Sequence, residues 1–483
     1  MGETDTRQTV PTAQVVVLLL GYGLFLCAYC GGPLSLAYLT DVFGSWELVL
    51  LGQFVYFVGV GAGCVGVGAL ARRRGFSPRA VPTVLACAAA TVACLVAVWA
   101  VATWAPALTA LIWMLLLLVG AATAYPLMLW CGFFLSLCRR GGRSGVVFLL
   151  AASELVPIGS ALCLMPVRGV AGVSVAVLAA VVVAYSLWQA ALVRFDVVPV
   201  QAAEKPVEQR YRLTAYSRTI LVCFGVTWGL ACGICTYSNV TGLPGASLAG
   251  LFAAGAAACV VVACVVRRFT GESVRFGGFI RFSLAAVGIA LVLTPVLRES
   301  LPELFHMLCE VVFLVGEIVL VLFTVDVCAE NGLGVAAVLP RNQAVFTAAA
   351  CAGGLLFWLC QVVVGGQTGW ELVGVLAAVA VMVSIPLLPS RTSDAVTFTL
   401  ETLPEDEGYD ARVAARRTRF AARYGLAERE IEVLEYLLQG MTRQQIAQQL
   451  GLSPWTIKDR VAGIYEKTGA HSYKELLRLV DGE

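Results

Sequence analysis

The chain has 483 residues, 59% of them hydrophobic and only 13% charged, with a formal net charge of +2. Soluble domains carry about a quarter charged residues, so this composition excludes an ordinary soluble protein over most of the length. The near-neutral balance equally excludes a chain that is basic throughout.

In chain order, the first 13 residues are polar, and the apolar run after them is too long for the core of a cleavable signal peptide. A bilayer-crossing helix needs about 20 apolar residues. Twelve runs meet that need, near 13–38, 46–71, 80–103, 107–137, 144–166, 169–193, 219–241, 245–266, 279–297, 303–328, 342–364 and 369–388. The fourth is overlong and carries Gly120 and Pro126, which predicts a kink or tilt. Lys and Arg set the orientation. Connections after even-numbered spans hold 17 positive residues, from Arg72 to Arg341, and those after odd-numbered spans hold two, Arg168 and Arg298. One missed span would erase that asymmetry, so it supports both the count and a topology with both termini in the cytoplasm. The expected location is the cell (inner, cytoplasmic) membrane, with the lipid bilayer as a partner.

A long loop at 194–218 divides the spans six and six. Cys27-Ala-Tyr-Cys30 and Cys232-Gly-Ile-Cys235 lie 205 residues apart, in the first and seventh spans, and Arg72-Arg73-Arg74 and Arg267-Arg268 follow the second and eighth. This arrangement, together with Gly68-Ala-Leu-Ala-Arg-Arg-Arg-Gly75 between spans two and three, resembles the major facilitator superfamily. Arg72 stands where that family has an acidic residue. The resemblance implies a transporter-like domain over 1–388. All 17 cysteines fall between Cys27 and Cys360, in or beside apolar runs, and read as reduced packing residues, not disulfide or metal frameworks.

Ionisable residues in lipid are costly and usually functional. Glu154 lies in the fifth span; Glu310 and Glu317 lie in the tenth, two turns apart on one face, with His306 one turn before Glu310. These four are candidates for sensing a small-molecule ligand, cationic or polar, or for carrying protons. The competing reading is structural pairing with Asn342, Gln343 or backbone groups across helices. No phosphate-binding glycine loop, nucleophile–base set or metal cluster is legible. Neither catalysis nor a cofactor nor a bound metal is expected.

The last 95 residues hold 15 of the 31 acids and 13 of the 33 bases. Residues 389–422 read as a linker. Glu405, Asp406, Glu407 and Asp410 form an acidic patch, then Arg412, Arg416, Arg417, Arg419 and Arg423 a basic helical lead-in. Such a lead-in can meet DNA phosphates or anionic headgroups; a solvated helix face is the alternative.

Residues 423–483 read as a small four-helix domain. The first helix spans 428–438, with Ile431, Leu434 and Leu438 on one face and Gly440 as its stop. Thr442 and Gln445 form a capping box for the second, whose inward positions are Ile446, Ala447 and Leu450. Ser453 caps the third, with Pro454 at its first position and Ile457, Val461 and Ile464 as its core stripe. The fourth opens at Ser472, with Glu475 completing its box. Helix, short turn, helix is the geometry that lays a second helix in a DNA major groove. Trp455, Thr456, Lys458, Asp459, Arg460 and Ala462 then point outward or flank the core. A helical bundle without a nucleic-acid role is the alternative from pattern alone.

Those residues resemble the DNA-binding domain of LuxR-type transcriptional regulators. Glu430, Leu434 and Gly440 match one family run. Ile446, Ala447, Leu450, Ser453, Thr456, Ile457 and Lys458 match a second, and Ile464, Tyr465, Lys467, Gly469, Ser472, Glu475 and Leu476 a third. The resemblance implies Lys458 and Asp459 at base edges, Ser453, Thr456 and Arg460 on the DNA backbone, and the fourth helix as a homodimer surface. Thr442, Trp455 and Lys467 complete the expected contact set on double-stranded DNA. Ala427 replaces the family's usual Thr cap, a loss of roughly 1 kcal/mol of local stability. The reading is therefore an all-α polytopic membrane protein, 12 transmembrane helices (6+6) followed by a small cytoplasmic four-helix helix-turn-helix domain. It predicts a membrane-embedded transcriptional regulator; the rival is a secondary transporter with a regulatory tail.

Overall fold

The chain divides into two compact units, Met1–Thr402 and Leu403–Glu483. The computed structural model describes residues 12–29, 33–74, 81–141, 143–157, 172–195, 215–241, 301–331 and 333–387 of the first, with isolated positions at 160 and between 250 and 300. Of the second it describes 423–438 and 452–470, with isolated positions around these stretches. All regular structure among the described residues is helical.

In the first unit the helices are α1 (Thr12–Ala28), α2 (Pro33–Phe43), α3 (Trp46–Arg74), α4 (Val81–Trp104), α5 (Thr109–Gly141) and α6 (Arg143–Ser153). They continue with α7 (Val173–Arg194), α8 (Ala215–Thr241), α9 (Pro302–Asn331), α10 (Val335–Leu359) and α11 (Gly366–Leu387). Among the described residues, six helices are long and apolar enough to cross a membrane; they lie in α3, α4, α5, α7, α8 and α10. These answer the second, third, fourth, sixth, seventh and eleventh expected spans, and α9 and α11 occupy the tenth and twelfth. The eighth and ninth fall almost wholly outside the described residues.

The first expected span differs. It is two helices of 17 and 11 residues, not one crossing run. Tyr29 has already left helical geometry, and Pro33, which lacks an N–H, suits the first turn of the second helix. A hydropathy average runs straight across that signal. The eleventh span starts earlier than expected, at Val335, and carries Pro340 inside the helix. The fourth runs unbroken through Pro126.

Two glycine seams position the rest. A Cβ on Gly120 would collide with the Tyr56 carbonyl and one on Gly59 with the Leu117 carbonyl, so α3 and α5 meet backbone to backbone. Gly229 against Ala350 and Gly353 against Val226 do the same for α8 and α10. Lipid is as apolar as a leucine side chain, so such close packing, not water exclusion, drives association here. Buried polar groups are paired across helices: the Thr236 hydroxyl donates to Gln53 Oε1 at 2.7 Å, and Asn342 donates to Thr324 Oγ1 at 3.1 Å. The thirteen described cysteines are free thiols.

The second unit holds α12 (Glu428–Leu438) and α13 (Pro454–Thr468) around a core of Val433, Leu434, Leu437, Ile446, Ile457, Val461, Ile464 and Leu476. On α12 the buried stripe is Val433, Leu434 and Leu437, with Ile431 only packed at its margin; the Leu438 side chain lies outside the described residues. Phe420, inside the stretch read as linker, is fully buried in this core. The remainder of residues 389–422, the Thr442–Gln445 box and Ser472 lie outside the described residues.

Candidate functional site

The outward face of α13 is built by its cap. Ser453 has extended backbone, and its Oγ accepts from the Thr456 N–H at 3.1 Å, with Pro454 at the first helical position. The Thr456 hydroxyl lies 2.8 Å from the same oxygen. With the start fixed, the helical period turns Ile457, Val461 and Ile464 into the core at 0%, 1% and 0% exposure. Lys458 and Asp459 are left exposed, and Thr456 and Arg460 half-buried beside them. Trp455 projects from the first turn at 74% exposure. An ammonium, a guanidinium, two hydroxyls and a bare indole therefore share the N-terminal half of one helix, whose positive dipole end favours phosphate. Thr442 lies outside the described residues.

Lys467 has a different placement. Its Nζ sits 2.6 Å from Glu430 Oε2 and 3.3 Å from the Gly425 carbonyl, tying the last turn of α13 to the start of α12. Glu430 Oε2 also accepts from the Ala427 N–H at 2.7 Å. That bond makes half a capping box at the position where Ala427 offers no side-chain acceptor. Burial pushes the Glu430 carboxyl up, but the Lys467 and Ala427 hydrogen bonds and the Lys467 charge outweigh it and hold the group below its ordinary 4.5. The sequence marked both residues separately; nothing local links positions 37 apart.

Residues 425–480 match the family of bacterial regulatory proteins, luxR family. The second unit is a LuxR-type DNA-binding domain. The Fimbriae Z protein of Salmonella typhimurium is 48% identical to the chain over 52 residues, 11% of this chain and 25% of that protein. The chain thus spans about a quarter of the length of that curated relative. The first unit resembles solved transporters. With the human organic anion transporter MFSD10 (TETRAN) the TM-score is 0.51 at 17% identity, covering 79% of this chain and 100% of that one. With the major facilitator superfamily transporter FucP in the outward conformation it is 0.51 at 14% identity, covering 80% and 100%. At such identities the likeness speaks for fold: a LuxR-type domain is fused to a multi-pass membrane domain like those of the major facilitator superfamily.

Within the membrane unit, the structure brings Glu154 and Glu317 together. Glu317 on α9 lies within hydrogen-bonding reach of the Glu154 side chain and accepts from the Tyr22 hydroxyl of α1 at a long 3.4 Å. Glu310 shares α9 with Glu317, but its side chain and that of His306 lie outside the described residues. Asn342 and Gln343, expected partners of these acids under the structural reading, bond to Thr324 and Thr347. Tyr22 was not foreseen: an aromatic in an apolar run carries no sign of its polar end.

Proposed function

We propose that the protein is a membrane-embedded, one-component transcriptional regulator. The carrying observation is one chain holding both a LuxR-type domain, with Lys458, Thr456 and Arg460 presented on a capped helix, and a transporter-like membrane unit. In this reading both termini are cytoplasmic, as the 17-to-2 distribution of positive residues supports, and the membrane is the cytoplasmic one. Residues 1–388 are then the sensor, 389–422 the linker and 423–483 the DNA reader, with Phe420 at the end of the linker packed into the reader's core. Lys458 and Asp459 meet base edges, and Ser453, Thr456 and Arg460 the backbone. Trp455 lies against sugar or thymine methyl, and the fourth helix pairs two copies. Signal enters through the carboxylates of the membrane unit.

Purified full-length protein in lipid nanodiscs, offered a random DNA pool, is expected to enrich one symmetric sequence and protect it in footprinting. Failure to enrich any sequence, together with substrate uptake into vesicles, would establish the rival reading of a transporter with a regulatory tail. Fusing a periplasm-only reporter enzyme after Pro389 is expected to give no activity; an active fusion overturns the topology.

A further inference from the structure

The membrane unit brings two carboxyl groups close together and leaves an amide oxygen nearby without a hydrogen-bond partner. Helix α6 ends at Ser153, and Glu154 sits in a turn before helical backbone resumes. Pro157 follows, and without an N–H it cannot serve the Ser153 carbonyl four residues back. Irregular backbone at membrane depth is tolerated where it is buried or lines a cavity. Helix α1 lies directly on this break: a Cβ on Gly23 would stand 2.8 Å from the Ser153 carbonyl oxygen. That contact brings Tyr22 to Glu317. Two carboxyl groups share a hydrogen bond only when at least one carries a proton, so Glu154 and Glu317 are not both ionised in this arrangement.

Beside the pair is a cavity of about 20 Å³, lined by Glu317, Gln343, Thr347, Tyr29, Phe57 and Trp228. Gln343 is 1% exposed. Its amide nitrogen donates to Thr347 Oγ1 at 3.2 Å, while its Oε1 is buried with no hydrogen-bond partner. A buried acceptor left unmade is costly, and Gln343 is one of the residues around the Glu317 cavity. The available donors are a carboxyl pair, an amide oxygen and a hydroxyl, with the rings of Trp228 and Phe57 alongside. Hard oxygens and aromatic faces both suit a cation. The volume admits an occupant about the size of one water molecule, which rules out an organic cation in this conformation. A monovalent ion can replace one proton charge for charge, which a divalent ion cannot.

We propose that Glu154, Glu317 and the Gln343 carbonyl oxygen form a binding site for one small monovalent metal ion. The ion is taken in exchange for the proton the two glutamates share. The balance is simple: the ion binds, the shared proton leaves to water, both carboxylates are ionised, and the net charge of the site is unchanged. Among the described residues, the titratable groups around the pair are Tyr22 and Cys27 of α1, Tyr29 just beyond it and Cys131 of α5; none of them is a base. Glu154 precedes the 194–218 loop and Glu317 follows it, so an ion between them joins the two halves of the membrane unit. This deepens the sensor reading and rests on it for biological use, though not for the binding itself.

The test uses full-length protein in nanodiscs, weakly buffered, titrated with sodium or potassium chloride against choline chloride at matched ionic strength. The expected result is release of about one proton per protein on adding a metal salt, with a change in tryptophan emission because Trp228 lines the cavity. Glu154→Gln and Glu317→Gln should each remove the proton release while the protein still elutes as a single folded species. Gln343→Ala leaves the carboxyl pair intact, so it should keep the proton release but need about tenfold or more salt to reach it. No response to either metal salt between about pH 6 and pH 8, a response to pH alone, or a salt response that survives the double Glu→Gln change would each overturn the site. DNA binding measured on the same samples separates the two ideas. Ion binding that leaves DNA affinity unchanged keeps the site and sinks its part in signalling.

Discussion

In the membrane unit a Cβ on Gly120 would strike the Tyr56 carbonyl and one on Gly229 the Ala350 carbonyl, so these glycines let helix backbones touch. In the LuxR-type unit Gly425 and Gly469 lie at φ 61° and 70° with open space where a Cβ would go, so they let the chain turn. The contrast comes from the solvent. Against lipid, burying a leucine gains little, and contact between small residues holds helices together. In water, burying Ile457 and Leu476 supplies the energy, and caps decide where helices begin and end.

That comparison can be broken from either side. Ile457→Asp puts an unpaired charge at a fully buried position and should cost about 4 kcal/mol or more, enough to unfold the LuxR-type unit. Limited proteolysis should then release the C-terminal unit while the membrane unit keeps its melting temperature. Coupled loss of both would show that the units do not fold separately. Gly120→Val should cost about 1–3 kcal/mol by overpacking the α3–α5 seam, seen as a lower melting temperature of the detergent-solubilised protein. A neutral result would mean that this seam is not held by close approach.

Smaller effects sharpen the picture of the DNA-facing helix. Lys458→Ala should lose about 1–3 kcal/mol of specific DNA binding at fixed salt, with circular dichroism unchanged because the side chain is exposed. Unchanged affinity would move the base-reading face elsewhere. Glu430→Gln should destabilise the unit by about 1 kcal/mol, through a weakened cap and a lost ion pair. The pH sign follows from a carboxyl held below its ordinary value. Its stabilisation is present above 4.5 and is lost as pH falls through the lowered value. The difference between parent and Glu430→Gln melting temperatures should therefore shrink in that acid window and hold steady at neutral pH. Ala427→Thr should raise stability by about 0.5 kcal/mol, since the Glu430 carboxylate already serves the Ala427 N–H and only one further donor is gained.

Much of the LuxR-type unit was legible because its signals are local. Ser453 to Thr456 is a cap of three residues, and Ile457, Val461 and Ile464 obey a period that any window of the sequence reveals. The burial of Val433 and Leu437 over Ile431 was not legible, because Ile431, Val433-Leu434 and Tyr436-Leu437-Leu438 fit more than one helix face. Phe420 was hidden for a related reason: it lies among arginines, and only packing against α12 and α13 assigns it to the core.

What the sequence by itself determined is therefore helical class, the likeness of both parts to known families, and a charge asymmetry between alternate connections. Each depends on composition or on neighbours a few residues apart. Tertiary structure alone decided that Lys467 locks Glu430 across 37 positions, that the first span is two helices with the first of them pressed onto the turn at Glu154, and that Glu317 finds Tyr22 across 295. Those contacts are closed by helix packing. In a chain where almost every position is apolar, periodicity cannot tell which face a helix turns inward.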